Sequence, residues 1–199
     1  MHIYQVTLTF TEPLLGTVTL NKDVYGEFIA NNHPSGRDAA QDEIETIEEA
    51  MEKGMTGFHR RDGQPFIFDY QIKGFFKDAC GMLRRDKESG SAKVTAYKKV
   101  IDGLVFVDPR EIVLNLPDGT LGEPLQRPLR AQTAQGERVA LACSETAPVG
   151  TTISFRVLLM GDMTEKHLTE WFTYGALRGL GQWRNASYGR FTYTMEKVS

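Results

Sequence analysis

A glycine-rich stretch near the C-terminus holds the residues of this sequence that are best suited to bind a ligand. It runs from Gly175 to Tyr193 and reads GALRGLGQWRNASYGRFTY. Its glycines allow close backbone approach, and exposed N–H groups between them can form an anion-binding nest. Its arginines add positive charge, and Trp183 and Tyr188 can stack on bases. The combination indicates contact with a single-stranded nucleic acid, whereas Trp183 taken singly is explained equally well as a core anchor.

A second set of basic residues lies on a helix that we predict over 71–85. The apolar residues of this segment recur at i, i+3, i+4, i+7, i+8 and i+11, which is one face of a 3.6-residue period. Lys73, Lys77 and Arg84 fall at nearly one angle on another side and form a basic stripe. Gly74 lowers the stability of the helix by about 1 kcal/mol relative to alanine, and so does Gly81, the second glycine of the helix. Such glycines indicate that another backbone passes close by.

Residues that could support catalysis form weaker patterns. The sequence contains no GxSxG, P-loop or HExxH motif. His59 with Asp62 or Asp69 could form an acid–base pair, although a solvated histidine beside a turn is the simpler interpretation. Asp23 and Asp38 are the loop acids available to a metal-dependent ribonuclease, and surface solvation explains both. The two cysteines and four histidines lack metal-ligand spacing, so we expect neither a metal nor another cofactor.

Composition and charge place these residues in an ordinary globular chain. The 199 residues are 41% hydrophobic and 25% charged, which excludes a collagen-like or wholly disordered protein. No apolar run reaches the roughly 18 residues of a membrane span, and the N-terminus alternates like a strand rather than a signal peptide. We therefore expect a cytoplasmic protein. The net charge of −3 divides into −7 for residues 1–56 and +4 for residues 57–199, which indicates an acidic appendage on a mildly basic body.

The order of predicted elements suggests how these residues are positioned. Hydrophobic periodicity predicts strands over 4–11, 94–101, 104–107, 111–116, 151–160 and 190–198, and helices over 38–53, 71–85 and 164–177. Without insertions, this is the ferredoxin-like split βαβ order of the α+β class, in which an antiparallel sheet carries two helices on one face. The other face is then free to bind a ligand, as in RNA-recognition domains.

We expect one domain over 1–199 with two additions. An acidic helical insertion occupies 20–60, and its simplest interpretation is a solvated surface segment. Residues 117–137 are rich in Pro, Gly, Gln and Arg and predict an extended arm or hairpin. Residues 87–92 predict a flexible polar tip after the helix over 71–85.

Three segments also resemble a known family. The C-terminal GLGQWRNASYGRF resembles the glycine-rich loop of the RAMP superfamily (repeat-associated mysterious proteins) of CRISPR effector complexes, and within it is most similar to the backbone subunit of type III complexes. The segment FDYQIKGFFKDACGMLRR is similar to the family segment in which Lys-Gly begins a helix with a basic residue three positions later, here Lys73, Gly74 and Lys77. The segment SETAPVGTTISFRVLL resembles the family's Glu followed by Pro-x-Gly at the entry to a central strand.

The resemblance implies a modified RNA-recognition fold that holds guide RNA along its sugar–phosphate backbone. Its implied partners are RNA, other effector subunits and copies of the chain itself. The expected RNA-binding residues belong to the basic stripe, to a thumb-like arm and to the glycine-rich loop. They are Lys73, Lys77, Arg84, Arg127, Arg130, Arg178, Gly179, Gly181, Gln182, Trp183, Arg184, Asn185, Tyr188 and Arg190. Ser187 departs from the family pattern, which tends to place a glycine there. The early-loop Asp with which type III backbone subunits cleave RNA has no match, so the resemblance does not extend to catalysis.

We therefore expect an RNA-binding protein of RAMP type without catalysis, acting in antiviral defence or as a stand-alone or phage-encoded relative. Two alternatives stay open at this point. One is an interaction or anti-defence module whose acidic helix over 38–52 occupies a host nucleic-acid-binding complex. The other is a metal-dependent ribonuclease.

Overall fold

Four antiparallel strands form the central sheet, and in the described residues three α-helices and two further sheets surround it. The computed structural model describes residues 1–20, 55–133 and 136–198. Its strands are β1 (His2–Phe10), β2 (Leu14–Leu15), β3 (Val18–Thr19), β4 (Met55–Gly57), β5 (His59–Arg61), β6 (Gln64–Phe68), β7 (Val105–Asp108), β8 (Glu111–Val113), β9 (Gly122–Thr133), β10 (Gly136–Ala147), β11 (Thr152–Leu159) and β12 (Phe191–Lys197). Its α-helices are α1 (Asp69–Leu83), α2 (Tyr97–Leu104) and α3 (Glu165–Arg178).

The central sheet has the strand order β12-β1-β11-β7. Val6 of β1 lies opposite Phe155 of β11 on one side and Met195 of β12 on the other, and every pair in this sheet is antiparallel. The helix α1 follows β1 in the chain and precedes β7, while α3 connects β11 to β12. This is the ferredoxin-like arrangement, which confirms the predicted α+β fold class.

The main core lies between this sheet and the helices α1 and α3. The rings of Phe76 on α1 and Trp171 on α3 have centroids 5.2 Å apart, and Phe172 reaches Phe155 of β11. The two helices approach closely at Gly175, where an added Cβ would lie 2.4 Å from the ring of Phe75. The helices predicted over 71–85 and 164–177 are therefore present, and their ends are displaced by one or two residues.

The segment 94–101, predicted as a strand, is instead the beginning of helix α2. Tyr97, Ile101 and Leu104 recur at i, i+4 and i+7, and Ile101 is completely buried against the core. This spacing places the three residues on one face of a helix, and that face packs against α1 and the core. The strand predicted over 104–107 begins one residue later, as β7.

The polar segment 87–92, which we predicted to be a flexible tip, is exposed at Lys87 and Glu88 but packs against α3 from Ser89 onward. Ser89 and Ser91 are both buried. The Oγ of Ser89 donates to a carboxylate oxygen of Glu170 on α3 at 2.8 Å, and the indole Nε1 of Trp171 donates to Ser91 Oγ at 3.0 Å. Polar side chains are therefore used here to join the end of α1 to α3.

Two further sheets, of five and three strands, adjoin the central sheet. One has the order β2-β10-β4-β3, with β9 paired to β10 as a long antiparallel hairpin, and the other has the order β5-β6-β8. The arm expected over 117–137 thus lies mostly on β9 and on the hairpin end. The helix predicted over 38–53 and the loop acids Asp23 and Asp38 lie outside the described residues. In the described part of the chain, no helix is long and apolar enough to cross a membrane.

Candidate nucleic-acid interface

The glycine-rich loop between α3 and β12 crosses over itself at its two ends. Gly179 and Gly189 have φ angles of +89° and +71°. A Cβ on Gly179 would lie 2.2 Å from the carbonyl oxygen of Tyr188, and a Cβ on Gly189 would lie 2.0 Å from that of Leu180. Only glycine permits both the positive φ and these backbone contacts. The sequence therefore specifies a closed loop rather than an open one.

The same closure uses the N–H groups that we expected to form an anion-binding nest. The N–H of Gly179 donates to Gly175 O at 2.7 Å, that of Leu180 to Gly189 O at 2.9 Å, and that of Gly189 to Pro13 O at 2.9 Å. Backbone donors that bond inside the chain do not bind an external anion. At Gly179 and Gly189 the nest prediction is therefore wrong.

Gln182, one of the predicted RNA-binding residues, joins the loop to the second sheet. Its Oε1 accepts a hydrogen bond from Arg127 Nη2 at 2.9 Å. Its Nε2 lies within hydrogen-bonding distance of three acceptors, namely Gly16 O, Thr56 Oγ1 at 2.8 Å and Ser144 Oγ at 3.3 Å. Because both ends of the amide are engaged, Gln182 fixes the loop against β4, β9 and β10.

Beside Gln182, three side chains form a stack that connects the hairpin to the loop. The guanidinium of Arg127 on β9 lies 4.9 Å from the ring centre of Trp183, and Tyr188 is parallel to Trp183 at 5.0 Å. These contacts occupy ring surface that a base would otherwise need, although Trp183 remains 40% exposed. Arg127 is only 7% exposed, and its Nε and Nη1 have no hydrogen-bond partner among the described residues. Because both atoms are buried, Arg127 supports the stack from within and presents neither donor to the surface.

The loop arginines each have a partner in the folded chain. Arg178 donates to Asn185 Oδ1, and Arg184 pairs with Asp78 on α1 at 2.6 Å. Arg190 donates through Nε to a backbone carbonyl at the end of α3. The contacts of Arg178 and Arg190 are exposed, whereas the Arg184–Asp78 pair is partly buried.

Loop side chains also line a shallow depression of about 220 Å³ at the protein surface. All of its lining residues belong to the predicted RNA-binding set: Arg178, Gly181, Gln182, Trp183, Arg184 and Asn185. Two arginines therefore face one concave surface together with two amide side chains. Arg130, also predicted, lies on β9 three residues beyond Arg127.

The basic stripe on α1 is present, but it faces α2 rather than the loop. Lys77 Nζ pairs with Asp102 Oδ1 at 2.5 Å, and Lys73 Nζ donates to the backbone carbonyl of the same residue at 3.1 Å. Arg84 lies over the ring of Tyr97 at 5.1 Å. The structure thus brings the stripe residues together with α2, while the glycine-rich loop lies along the opposite flank of α1.

The two glycines of α1 have different surroundings. A Cβ on Gly81 would lie 2.8 Å from the hydroxyl of Tyr97, so this glycine makes room for a side chain and not for a backbone. Gly74 is exposed, and no atom of the described residues lies within 4 Å of a Cβ built there. Our expectation of a close backbone is therefore wrong for Gly81, and within the described chain no contact explains Gly74.

A cavity of about 230 Å³ lies between α1 and the glycine-rich loop. Its walls are mainly apolar and its rim is polar, and the lining residues are Leu14, Leu15, Thr17, Phe58, Ile67, Gln71, Gly74, Phe75, Asp78, Leu180, Gly181 and Arg184. The Asp78–Arg184 ion pair closes one side of the rim. Gly74 borders this cavity on one flank and adjoins Lys73 on the other, so it lies midway between the loop and the basic stripe.

The outer face of the central sheet is exposed but lacks a row of aromatic rings. Its outward positions carry mostly hydroxyl and charged groups, such as Thr7, whose Oγ1 is 2.8 Å from Ser154 Oγ, and Arg156, which pairs with Asp108. Phe106 on the edge strand β7 is the exposed aromatic side chain of this surface in the described ranges. Base stacking on the sheet face, as in RNA-recognition domains, therefore has little support here.

His59 is packed against rings instead of being solvated. Its ring centroid lies 5.5 Å from that of Phe66 and 4.6 Å from that of Phe68. Burial lowers the pKa of His59 below its usual value, and the nearby carboxylate of Glu111 opposes this effect. No hydrogen bond joins it to either aspartate of the suggested acid–base pair. Among the residues that the structure describes, no cluster of three or more His, Cys, Asp or Glu could hold a metal.

Several residues that shape this surface were not identified from the sequence. Asp78 and Asp102 hold the cations of the loop and the helix stripe, and no local pattern marks them. Phe66, Phe68 and Tyr70 line up beside His59. Their period-2 spacing in PFIFDY is the signal that could have revealed them.

Comparison with known proteins supports the fold and leaves the family unassigned. No family model matches the sequence, and no curated protein matches it. The fold is similar to a chain of the cryo-EM structure of the Type III-B Cmr-beta bound to cognate target RNA, with 15% identity and a TM-score of 0.55, over 100% of this chain and 61% of that chain. The chain thus spans about three-fifths of that neighbour's length. A chain of a Type IV-B CRISPR complex matches with 14% identity and a TM-score of 0.47, over 98% of this chain and 90% of that one.

Proposed function

We propose that this protein is a CRISPR-related RNA-binding protein of RAMP type, which holds guide or single-stranded RNA along its sugar–phosphate backbone. In this proposal it has no catalytic activity of its own. It works with other effector subunits or with further copies of itself, and the hairpin β9–β10 corresponds to the thumb of such subunits. The RNA lies over the exposed side of α1, between the basic stripe and the glycine-rich loop.

The observation that carries the proposal is the exposed Gly74 in the interior of α1. A glycine costs a helix about 1 kcal/mol relative to alanine, and no neighbour in the described chain explains that cost. Lys73 and Lys77 flank it on one side and the Arg184–Asp78 pair lies on the other. A helix position without a side chain, with lysines on one flank and Arg184 on the other, lets a phosphate backbone approach closely.

The residues around Gly74 suit a polyanion that binds reversibly. Lys77 is held by Asp102, whose side chain is half-exposed, and Arg184 is held by Asp78. Ion pairs at a surface contribute about 0–1 kcal/mol, so a phosphate can displace the carboxylate at small cost. Until then, each acid keeps its cation extended and oriented. This arrangement supports binding, because acids that are already paired with cations are poorly placed for cleavage chemistry.

The stack on the loop provides a second reason to favour RNA over other polyanions. The guanidinium of Arg127 lies over the indole of Trp183, which is itself partly exposed. Proteins that bind single-stranded nucleic acids combine aromatic rings with neighbouring arginines, since every nucleotide offers both a base and a phosphate. The fold similarity to a chain of a target-RNA-bound Type III-B structure agrees with this choice.

The proposal is tested by the salt dependence of RNA binding. Affinity for a labelled single-stranded RNA of about twelve nucleotides, a length within the usual site sizes, is measured by fluorescence anisotropy between about 50 and 200 mM salt. Each phosphate contact adds about 0.7 to the slope of log K against log salt for single strands. We expect the double variant Lys73→Gln, Lys77→Gln to bind more weakly and to lose about 1.4 from that slope.

A matched control removes the same charge elsewhere. Arg156→Gln with Lys197→Gln also deletes two cations, but from the central sheet, so its slope should equal that of the wild type. Equal slopes for all three proteins would show that α1 makes no phosphate contact. A wild-type protein that does not bind RNA at low salt would refute the proposed function as a whole.

A further inference from the structure

A row of aromatic side chains runs along the face of the sheet β5-β6-β8 that is turned away from the main core, and continues onto the first turn of α1. Its members, called here the aromatic row, are His59, Phe66, Phe68 and Tyr70. Phe66 and Phe68 have ring centroids 5.1 Å apart, and Phe68 and Tyr70 are stacked at 5.3 Å with their planes 23° apart. Tyr70, at the end of the row, is 56% exposed.

Folding of the main core does not account for this row. The alternation of β6 directs Ile67 into the main core, whereas Phe66 and Phe68 occupy the opposite face of the strand. Phe66 is buried but does not belong to the main core cluster. A strand with one outward face ordinarily carries polar residues there. Aromatic side chains that continue to an exposed end indicate an interaction surface.

A cation completes the surface beside the exposed end. The guanidinium of Arg110 lies 5.7 Å from the ring centre of Phe68. The two arginines of the adjacent strand β5 are paired, Arg60 with Glu145 at 2.5 Å and Arg61 with Glu111 at 2.6 Å. Arg110 makes no ion pair in the part of the chain that the structure describes. It is thus the cation available to an incoming anion next to Tyr70.

The position of Tyr70 relates the aromatic row to the proposed RNA path. Tyr70 precedes Gly74 by four residues on α1, which is about one helical turn or 5–6 Å along the axis. The intervening residue Gln71 lines the cavity that Gly74 and Arg184 also border. A strand of RNA that passes over Gly74 therefore reaches Tyr70 within its next few atoms of backbone.

We infer that Tyr70, backed by Phe68 and flanked by Arg110, is a stacking site for a base of the bound RNA. The inference rests on the proposed function and extends it to a surface outside the glycine-rich loop. One face of the Tyr70 ring packs on Phe68, and the exposed remainder receives the base. Arg110 binds the phosphate of the same nucleotide. This division of roles between ring and guanidinium is the usual one at single-strand sites.

The test separates base stacking from charge by using two probes. Binding of oligouridine and of inorganic polyphosphate, which has the charges but no bases, is compared for wild type, Tyr70→Ala and Tyr70→Phe. Loss of a stacked base lowers affinity by about 5- to 150-fold. We expect Tyr70→Ala to lose about tenfold for oligouridine and nothing for polyphosphate, and Tyr70→Phe to bind both as the wild type does. The double variant Lys73→Gln, Lys77→Gln should weaken both probes.

Each outcome bears on one of the two claims. If Tyr70→Ala binds oligouridine as tightly as the wild type, the stacking site is refuted while the proposed function stands. If Tyr70→Ala weakens both probes equally, its effect is structural, and the inference is again refuted. Should Tyr70→Ala prove unstable by thermal denaturation, Tyr70→Leu decides, because leucine retains an apolar contact with Phe68 but cannot stack as a ring does. If the wild-type protein binds neither probe, both the stacking site and the proposed function are refuted.

Discussion

Replacing Gly74 by alanine should make the protein more stable and yet weaken its binding to RNA. Gly74 is the sixth residue of the fifteen-residue helix α1, so the substitution acts in the helix interior. Alanine is favoured over glycine there by about 0.8–1.0 kcal/mol. Since no described atom lies within 4 Å of the new methyl group, no clash reduces that gain. For a chain of this length the melting temperature should rise by about 2–4 °C.

The effect on RNA binding has the opposite sign because a ligand backbone would meet the same methyl group. Crowding a packed contact by one methyl group costs about 1–3 kcal/mol, which corresponds to roughly 5- to 150-fold in affinity. Both quantities can be measured on one preparation, by thermal denaturation and by anisotropy with labelled single-stranded RNA. Thr169→Ala on α3 is the matched control. It replaces an exposed residue of lower helix propensity, so it should raise stability by roughly 0.5 kcal/mol without changing RNA affinity.

Two results would contradict this reasoning. A Gly74→Ala protein that is more stable and binds RNA normally would show that nothing approaches the helix at this point, and the main support for the proposed function would be lost. A Gly74→Ala protein that is less stable would mean that the space above Gly74 is filled in the folded protein.

Two further predictions concern side chains that join separate elements of the fold, Gln182 and Glu170. Gln182→Ala should destabilise the protein by about 1–3 kcal/mol in urea unfolding, because it leaves partly buried polar partners unsatisfied. It should also weaken RNA binding more than Asn185→Ala, which removes an exposed side chain. Equal effects of the two substitutions would argue against Gln182 as the anchor of the loop. For Glu170, burial raises the pKa, but hydrogen bonds from Gly90, Ser89 and Ser91 and the charge of Lys166 outweigh it, so the pKa lies below its ordinary 4.5. The carboxylate therefore contributes stability above about pH 4.5 that is lost as the pH falls through the lowered pKa. Glu170→Gln should show a shallower loss of stability in that window, and an identical acid profile would contradict this role.

The regular elements near the site could be predicted from local patterns. Tyr4, Val6, Leu8 and Phe10 alternate along β1 and are all buried, because neighbouring side chains of a strand point to opposite faces. The apolar stripe of α1 likewise appears as its buried face. The prediction of a strand over 94–101 failed because a run of eight residues carries too few repeats to separate a period of 2 from a period of 3.6. The contact of Ile101 with the core decided between them.

Local patterns thus identified the strands and helices of the ferredoxin-like core, the glycines that close the loop, and the set of cations and aromatics around it. Each of these follows from residue type or from spacing within one element. The tertiary structure alone decided how those side chains are used. Gln182 bonds to residues 55 and 126 positions away in the chain, and Asp78 and Asp102 reach their cations from other elements. The aromatic row also depends on it, since the strand pairing of β5 with β6 places His59 beside Phe66. Partners so distant along the chain leave no periodic trace, because periodicity reports only which residues share a face within one element.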